Sequence, residues 1–162
     1  MAPLRPDRAH SGFTLIEILI VVTILGILAA IATVQLASAS NDAASTSFVV
    51  DLRTLANAAT LHNAQSPNPV PDAAPGTMPA SLQAFLPAAN RFEAVTRIGG
   101  QWDVARDLTH ASSAVGVVFT GLGPTRDDAF MTDVDRIIDD GDLNAGIFRK
   151  NTANGYYLAV QR

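Results

Sequence analysis

The sequence predicts an α+β protein in which a long N-terminal α-helix, transmembrane in its first half and amphipathic in its second, packs on a small antiparallel β-sheet head. Three observations predict it. Positions 13–34 form one apolar run with a single charged side chain, Glu17. Positions 35–65 hold no proline or glycine and repeat apolar residues at helical spacing. The second half divides into short runs rich in β-branched and aromatic residues, bounded by turn formers.

The apolar run comes first because everything else depends on it. Apart from Glu17, its only polar side chains are Thr14, Thr23 and Thr33. As a helix its 22 positions span about 33 Å, enough for the hydrocarbon core of a bilayer. Arg5 and Arg8 precede it and the first charges after it are Asp42 and Asp51, so the N-terminus stays cytoplasmic and the body is exported. The chain carries a formal charge of -4. Arg5, Asp7 and Arg8 leave the first twelve residues slightly basic, so the remainder is more acidic still, which argues against nucleic acid as a partner. Without cysteine there is no disulfide and no thiolate site.

A glutamate in such a run requires an explanation, and three readings compete. As a secretory signal peptide, with Ala37-Ser38-Ala39 as cleavage site, the run is too long and contains a carboxylate. A plain anchor explains the length but not Glu17, since a charge near the bilayer centre costs roughly 2.5–3.5 kcal/mol even on lenient scales. In the third reading the chain is cut between Gly12 and Phe13. The cut creates an α-amino group with an ordinary pKa of about 7.7–8.0, four residues before Glu17, and the two charges neutralise each other within one chain or between neighbours.

The segment SGFTLIEILIVVTILGILAAIA, from Ser11 to Ala32, closely resembles the type III signal of type IV pilins and type II secretion pseudopilins. In that family a glycine is followed by phenylalanine, by glutamate four positions later, and by about twenty apolar residues. The resemblance implies that a prepilin peptidase cuts after Gly12, that Phe13 becomes the N-methylated first residue, and that Glu17 pairs with the Phe13 amine of an adjacent subunit during assembly. It implies a pilin-like fold, an inner-membrane anchor, a periplasmic or extracellular head, and partners that are other copies or related pilin-like subunits. No cofactor is implied. Many members carry a proline near the end of the run, where this sequence has Thr33-Val34-Gln35; the difference favours a pseudopilin supporting protein export over a major or minor pilin of a surface pilus. The rival from another class is a monomeric binding domain tethered to the membrane.

The organisation that follows is a leader at 1–12, a transmembrane and polymerising half-helix at 13–34, its amphipathic continuation at 35–65, a proline-rich connector at 66–81 and a small head at 82–162. The full helix, 13–65, would be on the order of 80 Å long. Phe48, Leu52, Leu55, Ala59 and His62 recur at spacings of three and four and mark a buried face, with His62 at its border rather than acting as a ligand. Five of nine prolines fall between Pro67 and Pro79, which predicts an exposed, extended connector.

In the head a short helical piece is expected at 81–86, strands at 101–106, 114–120 and 156–161, and Trp102 in the core. An amphipathic helix is expected at 125–140, opened by Thr125 and Asp128, with Phe130, Val134, Ile137 and Ile138 on one face and Gly141 at its end. Seven of the fifteen acidic residues lie between Asp127 and Asp142. Asp140, Asp142 and Asn144 alternate as calcium ligands do, and some pseudopilins bind calcium in a C-terminal loop. Gly146 is one place late for an EF-hand, however, and Asn151 stands where a bidentate carboxylate is needed. A solvated helix face followed by an Asx-rich turn accounts for the same residues, so no metal ligand is assigned.

Catalysis is not expected. No metalloprotease, nucleophile-elbow, phosphate-loop or dinucleotide signature occurs. Glu17 and Glu93 are the only glutamates, and His110, Ser112 and Asp107 form a triad only on paper.

Overall fold

A computed structural model describes residues 12–66, 68–86, 92 and 94–161; Arg5, Asp7, Arg8, His10, Pro67 and Glu93 lie outside the described residues. Two compact units emerge, residues 1–40 and 41–162. The helix α1 runs Leu15–Gln65. Below residue 41 its described side chains are all exposed. Beyond that point one face closes onto the head: Phe48, Leu52, Leu55, Ala59 and His62 are buried, together with Ser45, Val49 and Ala58. The helical spacing of these residues produces the face, and the absence of proline and glycine lets it persist.

The sheet contains β1 (Gln101–Leu108), β2 (Ala111–Val118), β3 (Phe148–Thr152) and β4 (Gly155–Gln161), all antiparallel, in the order β1-β2-β4-β3. Two-residue turns close both hairpins, Thr109-His110 and Ala153-Asn154. Register sorts the side chains. Trp102 pairs with Val117, which pairs with Tyr156, and Val104 leads through Val115 and Leu158 to Phe148. These two rows form the core face with the buried stripe of α1. Trp102 stacks on Phe48 at 5.2 Å between ring centroids, and Phe92 leans on it at 5.5 Å. The tryptophan is therefore core packing, as its sequence context predicts.

Between α1 and β1 lie the connector and the short helix α2 (Ala80–Gln83), which starts one residue earlier and ends three residues earlier than expected. The connector is extended but not simply exposed. Val70 and Met78 are buried, and the Ala73 and Gly76 amides donate to the Val104 and Trp102 carbonyls on the outer edge of β1. The Asn63 side-chain oxygen accepts the Val70 amide at 2.9 Å. Proline density rules out a central strand, but it permits a partner on a sheet edge.

Two further expectations are corrected. The strand β3 is additional to the three expected: Phe148 anchors it in the core and pairing with β4 supplies the rest. The third helix, α3, spans Asp128–Ile138 and is capped by Asp127, whose carboxylate accepts the Phe130 amide at 2.9 Å, rather than by Thr125 and Asp128. Its buried face is Met131, Val134 and Asp135, while Ile137 is exposed. Phe130 and Ile138 pack against the core beside Val134 as expected, so the face differs only by the loss of Ile137 and the addition of Met131 and a carboxylate at an inner position.

Candidate functional site

The N-terminal unit is built around its first turn. Thr14 donates to Glu17 Oε2 through its amide at 2.9 Å and through its hydroxyl at 2.8 Å, and its hydroxyl accepts the Glu17 amide at 3.3 Å. This is a capping box, the reciprocal pairing of a threonine and a glutamate three positions on. The T-x-x-E signal is present in the sequence at Thr14 to Glu17. Glu17 therefore has a local task in addition to any role between subunits. Both Thr14 bonds fall on Oε2, leaving Oε1 outside them.

Along the same segment every described side chain from Phe13 to Val34 is exposed, and the helix is long and apolar enough to cross a membrane. Its threonines satisfy themselves. Thr23 donates to the Leu19 and Ile20 carbonyls, and Thr33 to Ala30, so neither hydroxyl is left unpaired in a medium without water. At Gly12 a side chain would meet nothing within 4 Å. The fold of this chain does not itself require glycine there.

Residues 7–33 match the family described as the prokaryotic N-terminal methylation motif. The structure is similar to that of the major type IV pilin PilA1 from Clostridium difficile, with a TM-score of 0.53 and 15% identity over 75% of this chain and 97% of that one. The chain is type IV pilin-like in motif and fold. No curated protein matches it. Ser112 of the paper triad donates to the Gln161 carbonyl at 3.1 Å. His62 packs edge-on against Phe85 in the core, with ring centroids 5.9 Å apart.

On the sheet face away from α1, the pilin-like head holds a buried polar pair. Tyr157 on β4 donates to Asp103 on β1 at 2.7 Å, reaching across Gly116 of β2, which pairs with both residues. A side chain at Gly116 would fall 2.1 Å from the Tyr156 carbonyl and 2.8 Å from the Tyr157 ring, so only glycine leaves that path open. Burial raises the Asp103 carboxyl above its ordinary range, the Tyr157 bond works against that shift, and the Asp72 charge adds to it. Tyr157→Phe removes the donor and leaves Asp103 without it. The expected loss is about 1–3 kcal/mol of stability, read as a lower urea midpoint with an unchanged slope.

The acidic segment resolves into two parts. The Asp142 amide donates to Asp140 Oδ1 at 2.9 Å, and the Asn144 amide to Asp142 Oδ1 at 3.0 Å. These successive Asx turns are the arrangement that the bland reading of Asp140, Asp142 and Asn144 predicts. Asp135, unremarked in the sequence, is completely buried on α3. Burial, then the charges of Asp140 and Asp139, push its carboxyl up to about 6, while the Gly141 amide opposes the shift and Asp142 adds to it.

Asp128 at the start of α3 behaves in the opposite way. It accepts from Lys150 Nζ at 2.7 Å and from the Tyr156 hydroxyl, and these bonds hold it below the ordinary carboxylate range. A depressed folded value means a contribution present above the ordinary carboxylate pKa of about 3.9 and lost as pH falls through the folded value. Lys150→Met is therefore expected to lower stability at neutral pH, with the difference from wild type shrinking toward pH 2 in acid-unfolding curves.

Proposed function

We propose that this chain is the precursor of a filament subunit, and that the filament is the pseudopilus of a type II secretion system. A prepilin peptidase cuts between Gly12 and Phe13, and Phe13 is N-methylated. The mature chain sits in the inner membrane with its N-terminus cytoplasmic and its head exported. Copies or related pilin-like subunits then pack their apolar half-helices together, and Glu17 of one neutralises the Phe13 amine of another.

The observation that carries this reading is a 22-residue apolar stretch, exposed along its whole length, with its single carboxylate one turn from the scissile bond. A lone anchor gains nothing from that carboxylate beyond a cap, and the cap is available without charge. The freedom of Gly12 from contacts of its own supports an external reader for the glycine. The pseudopilin assignment draws on the helix passing unbroken through Thr33, Val34 and Gln35, where a proline would loosen it.

Mass spectrometry of the mature protein from membranes tests the processing. A terminus at methylated Phe13 is expected, and an intact Met1 terminus on the functional form would overturn it. Deleting the gene separates the filament types: loss of exported enzymes with surface fibres intact supports the pseudopilus, whereas loss of surface fibres alone assigns the subunit to a pilus. Tethered monomers would show neither loss.

A further inference from the structure

We propose that residues 70–78 form a strap on the outer edge of β1 whose grip is set by two neighbouring carboxylates, Asp72 on the strap and Asp103 on the strand, so that it holds more tightly in acid than at neutral pH. The ends of the strap are fixed. Val70 and Met78 are buried, and the Asn63 side chain accepts the Val70 amide. Between these anchors the hold on β1 is slight: the Ala73 amide donates to the Val104 carbonyl at 3.2 Å and the Gly76 amide to the Trp102 carbonyl at 2.7 Å. Pro71 and Pro75 have no N–H to add.

The strap runs antiparallel to β1, since Ala73 lies at Val104 and Gly76 at Trp102. Asp72, one place before Ala73, is therefore diagonal to Asp103, one place before Val104. Diagonal neighbours across such a pair are about 7–8 Å apart, close enough for their side chains to interact. The electrostatics agree with that placement. Burial is the main cause that raises the Asp103 carboxyl, and the Asp72 charge adds to it; Tyr157, raised first by burial and then by its bond to Asp103, feels Asp72 as well. Asp103 is 6% exposed, whereas Asp72 is open to solvent.

No cation separates the two acids. Among the described residues neither forms an ion pair. The groups facing Asp103 are the Tyr157 hydroxyl on β4 and the Val104 amide on its own strand, both of which oppose the upward shift, and Asp72 on the strap. On β2 the opposite residue is Gly116, with the uncharged Ala114 and Val118 beside it. Arg149 of β3 pairs with Tyr157 but is turned to the Gly146 carbonyl, and Arg106 alternates onto the core side of β1 with Trp102 and Val104. A raised folded value means a contribution fully present below the ordinary carboxylate pKa of about 3.9 and lost as pH rises through the folded value. The strap yields before the strand does, because two amides hold it while β1 is held by its whole ladder with β2. Loosened, it bares the outward carbonyls of Trp102 and Val104.

Hydrogen exchange of the full chain in detergent, followed by mass spectrometry at about pH 4 and about pH 7.5 and corrected for the intrinsic rate at each pH, tests the device. Peptides covering 70–78 are expected to lose at least about threefold in protection at the higher pH relative to peptides of β2. Asp72→Asn, at an exposed position, should keep the strap at its acid level of protection throughout. Asp103→Asn, whose amide oxygen still accepts from Tyr157, should do the same. Neither substitution alters His62, which lies against Asn63, or Asp135 on α3. A loss of protection that persists undiminished in Asp72→Asn would thus assign the response to another group and overturn the proposal, as would equal strap protection at the two pH values in the wild type.

Discussion

Replacing Glu17 with glutamine is expected to stop filament assembly while leaving membrane insertion and the start of α1 intact. The observed capping box and the proposed ion pair are two tasks of Glu17 that one substitution separates. Glutamine closes a capping box as glutamate does, so Thr14 keeps its partner. It cannot neutralise an ammonium. An unpaired charge inside a bilayer costs roughly 2.5–3.5 kcal/mol even on lenient scales, about a hundredfold in any equilibrium that buries the Phe13 amine. Glu17→Leu loses both tasks, and Thr14→Ala loses only the hydroxyl part of the box, worth about 0.5–2 kcal/mol as caps are. Filaments sheared from cells and the membrane fraction, both probed by antibody, should show Glu17→Gln and Glu17→Leu present in membranes and depleted at least tenfold in filaments, with Thr14→Ala near normal. Wild-type filament yield from Glu17→Gln would mean that capping is the whole role of the residue.

The second large effect lies in the head. Phe48 is completely buried and stacks on Trp102 with an interplanar angle of 9°, joining α1 to β1 at the centre of the core. Phe48→Ala removes the ring and leaves a cavity that the helix and sheet cannot both close, at a cost of about 3–5 kcal/mol. That is a large fraction of the 5–15 kcal/mol typical of a whole domain. Because Trp102 is the only tryptophan and touches the deleted ring, its fluorescence reports both the local change and global unfolding in urea. Val50→Ala, on the exposed face of the same helix, is the matched control and should move the midpoint little.

How far the sequence could be read depended on the kind of signal. The helix and its stripe from Phe48 to His62 were legible because a spacing repeated over fifteen residues is a repeated measurement. The core position of Trp102, and the strands that became β1, β2 and β4, were legible from β-branched and aromatic runs between turns. The strand β3 was not, since Arg149, Lys150 and Asn151 carry no strand preference and its pairing is decided by β4, which is remote information. Asp135 was hidden for a related reason. Seven acids in sixteen positions look alike in sequence, and only the rotation of α3 decides which of them turns inward. At the start of α1 the charge of Glu17 stands out in the sequence, while its cap with Thr14 does not, because a cap is a hydrogen-bond pattern that charge counting does not register.

The borders of the sheet carry a consequence for how such heads can meet. At β1 the amides of Ala73 and Gly76 already occupy the outward carbonyls, and at β3 the Lys150 amide donates to Leu143 at 2.9 Å. The segment lying against β1 holds Pro71 and Pro75, which have no N–H to offer a newcomer. In the proposed filament, neighbouring heads would therefore find no open ladder to extend at these positions. Cross-strand zippering, the ordinary hazard of concentrating small sheets in one place, is blocked there by the chain's own loops, which would leave cohesion of the proposed filament to the greasy stems.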